Sequence, residues 1–147
     1  MEMGKSASST FVHRATGRDS TCGFPNGAES LLEDTSVPVV IVEAEKSSMA
    51  VTSAAYRASH PLLVIACGGC MGWWGRIGKR LAWDGSNGDE RGPLPDFYYL
   101  DWRKREVIVL FDTNAKDNAN VQRAERRLAV FLTEQGARVR IGKLWLL

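Results

Sequence analysis

Val37-Pro38-Val39-Val40-Ile41-Val42-Glu43-Ala44-Glu45-Lys46 decides the fold: an apolar, largely β-branched run that stops abruptly on an acidic residue. A second run, Val107-Ile108-Val109-Leu110-Phe111-Asp112-Thr113-Asn114, stops in the same way. Short continuous runs of this kind read as strands buried on both faces, as in parallel sheets. In open parallel sheets, ligands collect beyond the carboxyl ends of the strands. Two strands that each deliver an acidic side chain there can place oxygen donors on one shared spot. That is how a divalent-cation site is built.

Outward from the first run, Val51, Ala54, Ala55 and Ala58 recur at helical spacing, so a helix is expected over 47–58, with Pro61 beyond its end. Leu62-Leu63-Val64-Ile65-Ala66 reads as the next strand. A long glycine-rich segment, 67–105, is expected to be irregular, and loops of that length inside a domain are often functional. The second strand follows. A helix over 118–135 buries Val121, Ala124, Leu128, Phe131 and Leu132, with Asp117 or Asn118 capping its start and Gly136 its end. Residues 138–141 read as a last short strand. Strand–helix–strand–loop–strand–helix–strand predicts an α/β fold with a mostly parallel sheet of about four strands flanked by helices.

Residues 1–36 are polar, with scattered apolar positions, and bury too little to offset their ordering entropy. They are expected to be a disordered or loosely docked segment with one helical turn near 28–33, ahead of an α/β domain over 37–147. A formal net charge of +2 over 147 residues is too small to argue for nucleic acid, so any such case rests on local clusters. Three cysteines, an odd number, and no apolar leader behind Met1 lead to the expectation of a reducing cytoplasm. No run approaches the ~20 apolar residues that a membrane span needs, so no membrane partner is expected.

The motifs resemble the Toprim superfamily, the catalytic domain shared by bacterial-type primases, topoisomerases and some nucleases. Val42-Glu43-Ala44-Glu45-Lys46 is similar to its first motif, and Phe111-Asp112-Thr113-Asn114 to its Asp-x-Asp motif. More narrowly, the chain resembles a Toprim-like family of unknown function found in phage, plasmid and other bacterial primase-like proteins. The residues that carry this are Gly68-Gly69-Cys70-Met71-Gly72-Trp73, Leu94-Pro95-Asp96, Asn118-Ala119-Asn120-Val121 and Gly136-Ala137-Arg138-Val139.

The resemblance implies a Rossmann-like fold with a long Gly/Trp-rich insertion and Mg2+- or Mn2+-dependent phosphoryl or nucleotidyl transfer in the replication of a mobile element. By the same resemblance, Glu43 is the general acid/base and also a metal residue, Asp112 with Asn114 forms the metal end, and Lys46 faces phosphate. Asn114 stands where the family has a second aspartate; its amide oxygen can coordinate but carries no charge, so metal affinity is expected to fall, with Asp117 or Glu45 as partial substitutes. Ala44 replaces the motif-one glycine, a small change if that position is not left-handed. Single-stranded DNA or a primer–template is the implied partner, with a helicase as a further candidate. Members of that family run on past the last strand through a proline and an acidic stretch, so a C-terminally shortened chain is expected. A non-catalytic nucleic-acid-binding or scaffolding domain, or a Toprim-type nuclease, stays open as the alternative.

Within 67–105, Trp73, Trp74 and Trp83 interleave with Arg76, Lys79 and Arg80. Aromatics beside cations are what single-strand binding uses; the rival reading makes the tryptophans a cap on the sheet and the cations solvated. The segment is not a Walker A loop, since no Ser or Thr follows Lys79. Arg103-Lys104-Arg105 reads as a solvated turn. Cys67 and Cys70 have the spacing of a metal or redox pair, but a zinc site needs four ligands, so they are expected to be ordinary small residues at a strand end.

Overall fold

The structure is a computed structural model and describes residues 11–12, 24–25, 28–111 and 117–143. Its elements in chain order are β1 (Phe11–Val12), β2 (Phe24–Pro25), α1 (Glu29–Leu32), β3 (Val39–Val42), α2 (Glu45–Arg57), β4 (Leu63–Ala66), β5 (Trp74–Leu81), β6 (Asn87–Pro93), a 3-10 turn (Pro95–Tyr99), β7 (Glu106–Leu110), α3 (Ala119–Glu134) and β8 (Arg138–Ile141).

Four strands make one sheet in the order β4-β3-β7-β8, and every pairing in it is parallel. The α/β expectation is met, with two helices flanking the sheet. Because side chains alternate along a strand, each strand feeds both faces. Val39, Ile41, Leu63, Ile65, Val107 and Val109 pack with Ala124, Leu128, Phe131 and Leu132 of α3. Val40, Val42, Val64 and Ala66 pack with Val51 of α2. The helices therefore cover opposite faces. This is what two right-handed crossovers running in opposite directions must give, since α2 leads from β3 out to β4 and α3 from β7 out to β8.

The ends of α3 show why it starts and stops where it does. Asn118 caps the first turn, its side-chain oxygen accepting from Asn120 N–H at 3.0 Å and Val121 N–H at 3.4 Å. At the other end Gly136 has φ +95°, while Gly136 N–H donates to Thr133 O and Ala137 N–H to Leu132 O. That is the two-bond left-handed cap that glycine permits.

Three expectations change. Residues 67–105 are not irregular throughout. Trp74–Leu81 and Asn87–Pro93 pair as an antiparallel hairpin, with a bulge between Arg76 and Gly78. Their alternation is of glycine and charge rather than of apolar and polar residues, so periodicity could not reveal them. The folded body also begins before residue 37: Ala28 is buried in the main core and Leu31 and Leu32 pack against it. The helical turn expected near 28–33 is α1, and β1 and β2 form a two-residue antiparallel pair; the rest of the expectation for 1–36 falls largely outside the described residues. Finally, Arg105 is no part of a solvated turn, being 0% exposed. Among the described residues, no helix is long and apolar enough to cross a membrane.

Candidate functional site

The strand order reverses between β3 and β7, so the crevice beyond their carboxyl ends is the topological switch point where open α/β sheets collect ligands. Val42 pairs with Leu110 there. One residue further, Glu43 and Phe111 stand at the same level of the sheet. Phe111 is buried, and Glu43 is half-buried. Asp112 and Asn114, expected at the metal end, lie outside the described residues. Among those described, no group of three or more His, Cys, Asp or Glu side chains is set to hold a metal ion.

Around Glu43 the chain is held tightly. Cys67 N–H donates to Val42 O at 3.0 Å and Gly69 N–H donates to Glu43 O at 2.8 Å, so the loop after β4 continues the sheet's hydrogen bonding past its end. Gly68 and Gly69 take φ +66° and +120°, the left-handed region that favours glycine. Gly72 returns against Cys67, and a Cβ on it would fall onto the Cys67 carbonyl oxygen. The Gly68-Gly69-x-x-Gly72 pattern is therefore explained by backbone geometry.

Ala44 has φ −125° and ψ 151°, ordinary extended backbone, so alanine stands there without strain in place of the family's glycine. From it α2 sets out with its N-terminus at this end of the sheet. Glu45 and Lys46, both exposed, occupy its first turn. An apolar cleft of about 290 Å3 opens between α2 and the ends of β3 and β7, lined by Val42, Val51, Ala54 and Leu110, with Glu43 as its acidic member.

Two further ionisable groups feel Glu43. Glu125 on α3 is 5% exposed. Its carboxyl is pushed up by burial first, with Glu43 adding to the rise and Lys143 and Arg126 opposing it. The Cys70 thiol is likewise pushed up, by burial and then by Glu43. A thiol shifted this way is less nucleophilic at neutral pH. Among the described residues, neither Cys67 nor Cys70 is joined in a disulfide.

The expected nucleic-acid residues part company. Trp73 is 0% exposed. It stacks on Phe131 at 5.7 Å between ring centroids and meets the edges of Phe97 and Trp74. It has no face to offer a base: here the tryptophan is core. Trp74 is half-buried, and the Arg127 guanidinium covers its ring at 4.1 Å from the centroid. Arg76, Lys79 and Arg80 are exposed on the hairpin. Trp83, in its turn, is 100% exposed.

Glu125, Arg91 and Arg127 were missed by sequence reasoning. Arg127 could have been found: it lies three residues beyond Ala124 and four before Phe131, at the margin of the helix's apolar stripe. Arg91 becomes meaningful only through its cross-strand partner.

No curated protein and no solved structure matches the chain. A family model described as Domain of unknown function (DUF3854) matches residues 29–145, which span α1, the four-stranded sheet with its two helices, and the hairpin. The chain belongs to that family.

Proposed function

We propose that the chain is a Toprim-like, primase-associated nucleic-acid module that carries out Mg2+-dependent phosphoryl or nucleotidyl transfer at the ends of β3 and β7. The observation that carries this reading is the pairing of Val42 with Leu110. It makes the strands leading into Glu43 and Asp112 nearest neighbours in a parallel sheet, at the point where the strand order reverses. The donors that the sequence sets after these two strands, Glu43 after β3 and Asp112 and Asn114 after β7, are all oxygen, the hard set that Mg2+ or Mn2+ takes.

Glu43 is the acid/base group of this reading, half-buried at the mouth of an apolar cleft and fixed through its own carbonyl by Gly69 N–H. Asp112 with Asn114 holds the cation, and Lys46, exposed on the first turn of α2, meets phosphate. A bound cation would neutralise charge on the phosphate oxygens. The partners are a DNA strand or primer–template, with other replication proteins such as a helicase around it, in the cytoplasm.

Asn114, in place of a second aspartate, favours a second reading: a nucleic-acid-binding or scaffolding domain without turnover. A Toprim-type nuclease is the remaining variant of the first. Calorimetric titration of Mg2+ and Mn2+ into the protein, beside Glu43→Gln and Asp112→Asn, separates them. Saturable binding that Asp112→Asn abolishes supports the metal site, and primer-extension and nuclease assays then assign the direction. A folded protein with no binding up to millimolar metal overturns the catalytic reading and leaves the scaffold.

A further inference from the structure

The hairpin's two faces differ in charge in a way that its sequence hides. Residues opposite one another across an antiparallel pair point to the same face. Trp74 stands opposite Pro93, Arg76 opposite Arg91 and Lys79 opposite Asp89, and the Arg76–Asp89 ion pair at 3.1 Å confirms that these rows share a side. The bulge after Arg76 keeps Lys79 on that side. The other face carries Gly75, Gly92, Gly78 and Gly88, with Arg80 and Glu90 as its charges. It is filled at its root by Leu94 and Ile77 packing on the glycines. One face thus holds three cations against one carboxylate, and the other is balanced.

Arg76 and Arg91 directly opposite each other is an unfavourable arrangement for the hairpin alone. Asp89 meets Arg76, but both side chains are about half exposed, and such a pair contributes little in water. Among the described residues no carboxylate is paired with Arg91 or Lys79. Arg127, lying over Trp74, extends the same row of cations onto α3. A polyanion laid along the hairpin relieves the Arg76–Arg91 repulsion, and the release of its counterions drives binding. The fully exposed indole of Trp83 at the turn adds a stacking surface, which an unpaired base can use and a paired one cannot.

We propose that the face of the hairpin carrying Arg76, Lys79 and Arg91, continued by Arg127 at its root and Trp83 at its turn, is the track for one unpaired nucleic-acid strand. The track rests on the nucleic-acid part of the reading above and needs no metal. It also moves binding away from Trp73, which is core, and from Arg80, which points to the other face.

The test is fluorescence anisotropy of a labelled oligothymidylate in EDTA across a salt series. It compares the wild type, Arg76→Ala/Arg91→Ala, and the control Arg57→Ala/Arg138→Ala, which removes the same charge at the opposite end of the sheet. The double variant on the track is expected to weaken binding at least about tenfold and to flatten the salt dependence by roughly 0.7 per lost phosphate contact. The control is expected to stay within about twofold of wild type, since only long-range, screened charge is lost. Trp83→Ala is expected to weaken the single strand and leave a duplex of the same length unchanged. Equal losses in the two double variants, no loss on the track, or no binding by the wild type would each overturn the proposal. Displacement by polyglutamate at equal charge concentration would overturn it in favour of an acidic protein partner. Metal calorimetry on the same variants keeps the two readings apart: the track can fail while Glu43→Gln still alters metal binding, and the reverse.

Discussion

The Nη2 of Arg105 donates to the carbonyl oxygen of Leu31 at 2.6 Å, across 74 positions of sequence. Its Nη1 reaches Leu32 O at 2.7 Å and its Nε reaches Val37 O at 2.9 Å. One side chain thus satisfies the carbonyls at the end of α1 and at the entry to β3. Burial lowers the guanidinium's pKa from its ordinary value, with Asp34 and Asp101 pulling it back. Arg105→Met keeps the volume and leaves these acceptors bare, so it is expected to cost about 3 kcal/mol or more in urea unfolding. Arg105→Lys should recover less than half, because an ammonium lacks the planar fork. A loss below about 1 kcal/mol for Arg105→Met would contradict this.

Gly72 and Gly88 make a matched pair. A methyl on Gly72 would collide with the Cys67 carbonyl, whereas one on Gly88 meets nothing within 4 Å. Gly72→Ala is therefore expected to lower the melting temperature steeply or prevent folding, since backbone must move. Gly88→Ala should stay within about 0.5 kcal/mol of wild type, as open surface sites do.

The tryptophans separate in the same way. Trp73→Ala opens a hole against Phe131 and Phe97, and such truncations cost about 3–5 kcal/mol. Trp83→Ala removes a side chain that touches nothing, and thermal unfolding should not register it. Equal melting shifts for the two would refute the assignment of one to the core and the other to solvent.

Glu125 sets a pH dependence. Its carboxyl is raised from the ordinary 4.5 by burial, with Glu43 adding to the rise. The unfolded chain then releases this proton more readily than the folded one, so stability falls as pH climbs above the unfolded value and levels off beyond the folded value. Glu125→Gln removes the effect. Urea melts should show the variant gaining on wild type at pH 8 and not at pH 4; the opposite ordering would mean that the charged carboxylate is favoured where it stands.

How far could the sequence be read? Continuous β-branched runs announced β3 and β4, which are buried on both faces, and β7, which is buried on one face and half-buried on the other. The spacing of Leu128, Phe131 and Leu132 announced α3, since only one face of that helix meets the sheet. The hairpin left no such trace. Its strands bury little, and their order comes from pairing across the turn, which a linear pattern does not record. Arg105 misled for a related reason. Arg103 is held by Asp101 in two bonds at the surface, and two residues later the same residue type is inside, its acceptors supplied by carbonyls far back in the chain. Of the candidate site, the acidic strand ends were visible as sequence. The switch between β3 and β7, which gives them their meaning, is a property of strand order.

The hairpin also leaves and rejoins the body at one point, for Leu94 N–H donates to Trp73 O at 2.9 Å. Everything between those two residues is an excursion whose ends already meet. Arms of this kind can be lengthened, trimmed or exchanged over evolutionary time without disturbing the register of the sheet beneath, because closing a longer excursion adds only a small, logarithmic entropy cost. The chain thus combines a fixed platform with a limb whose length the platform does not dictate.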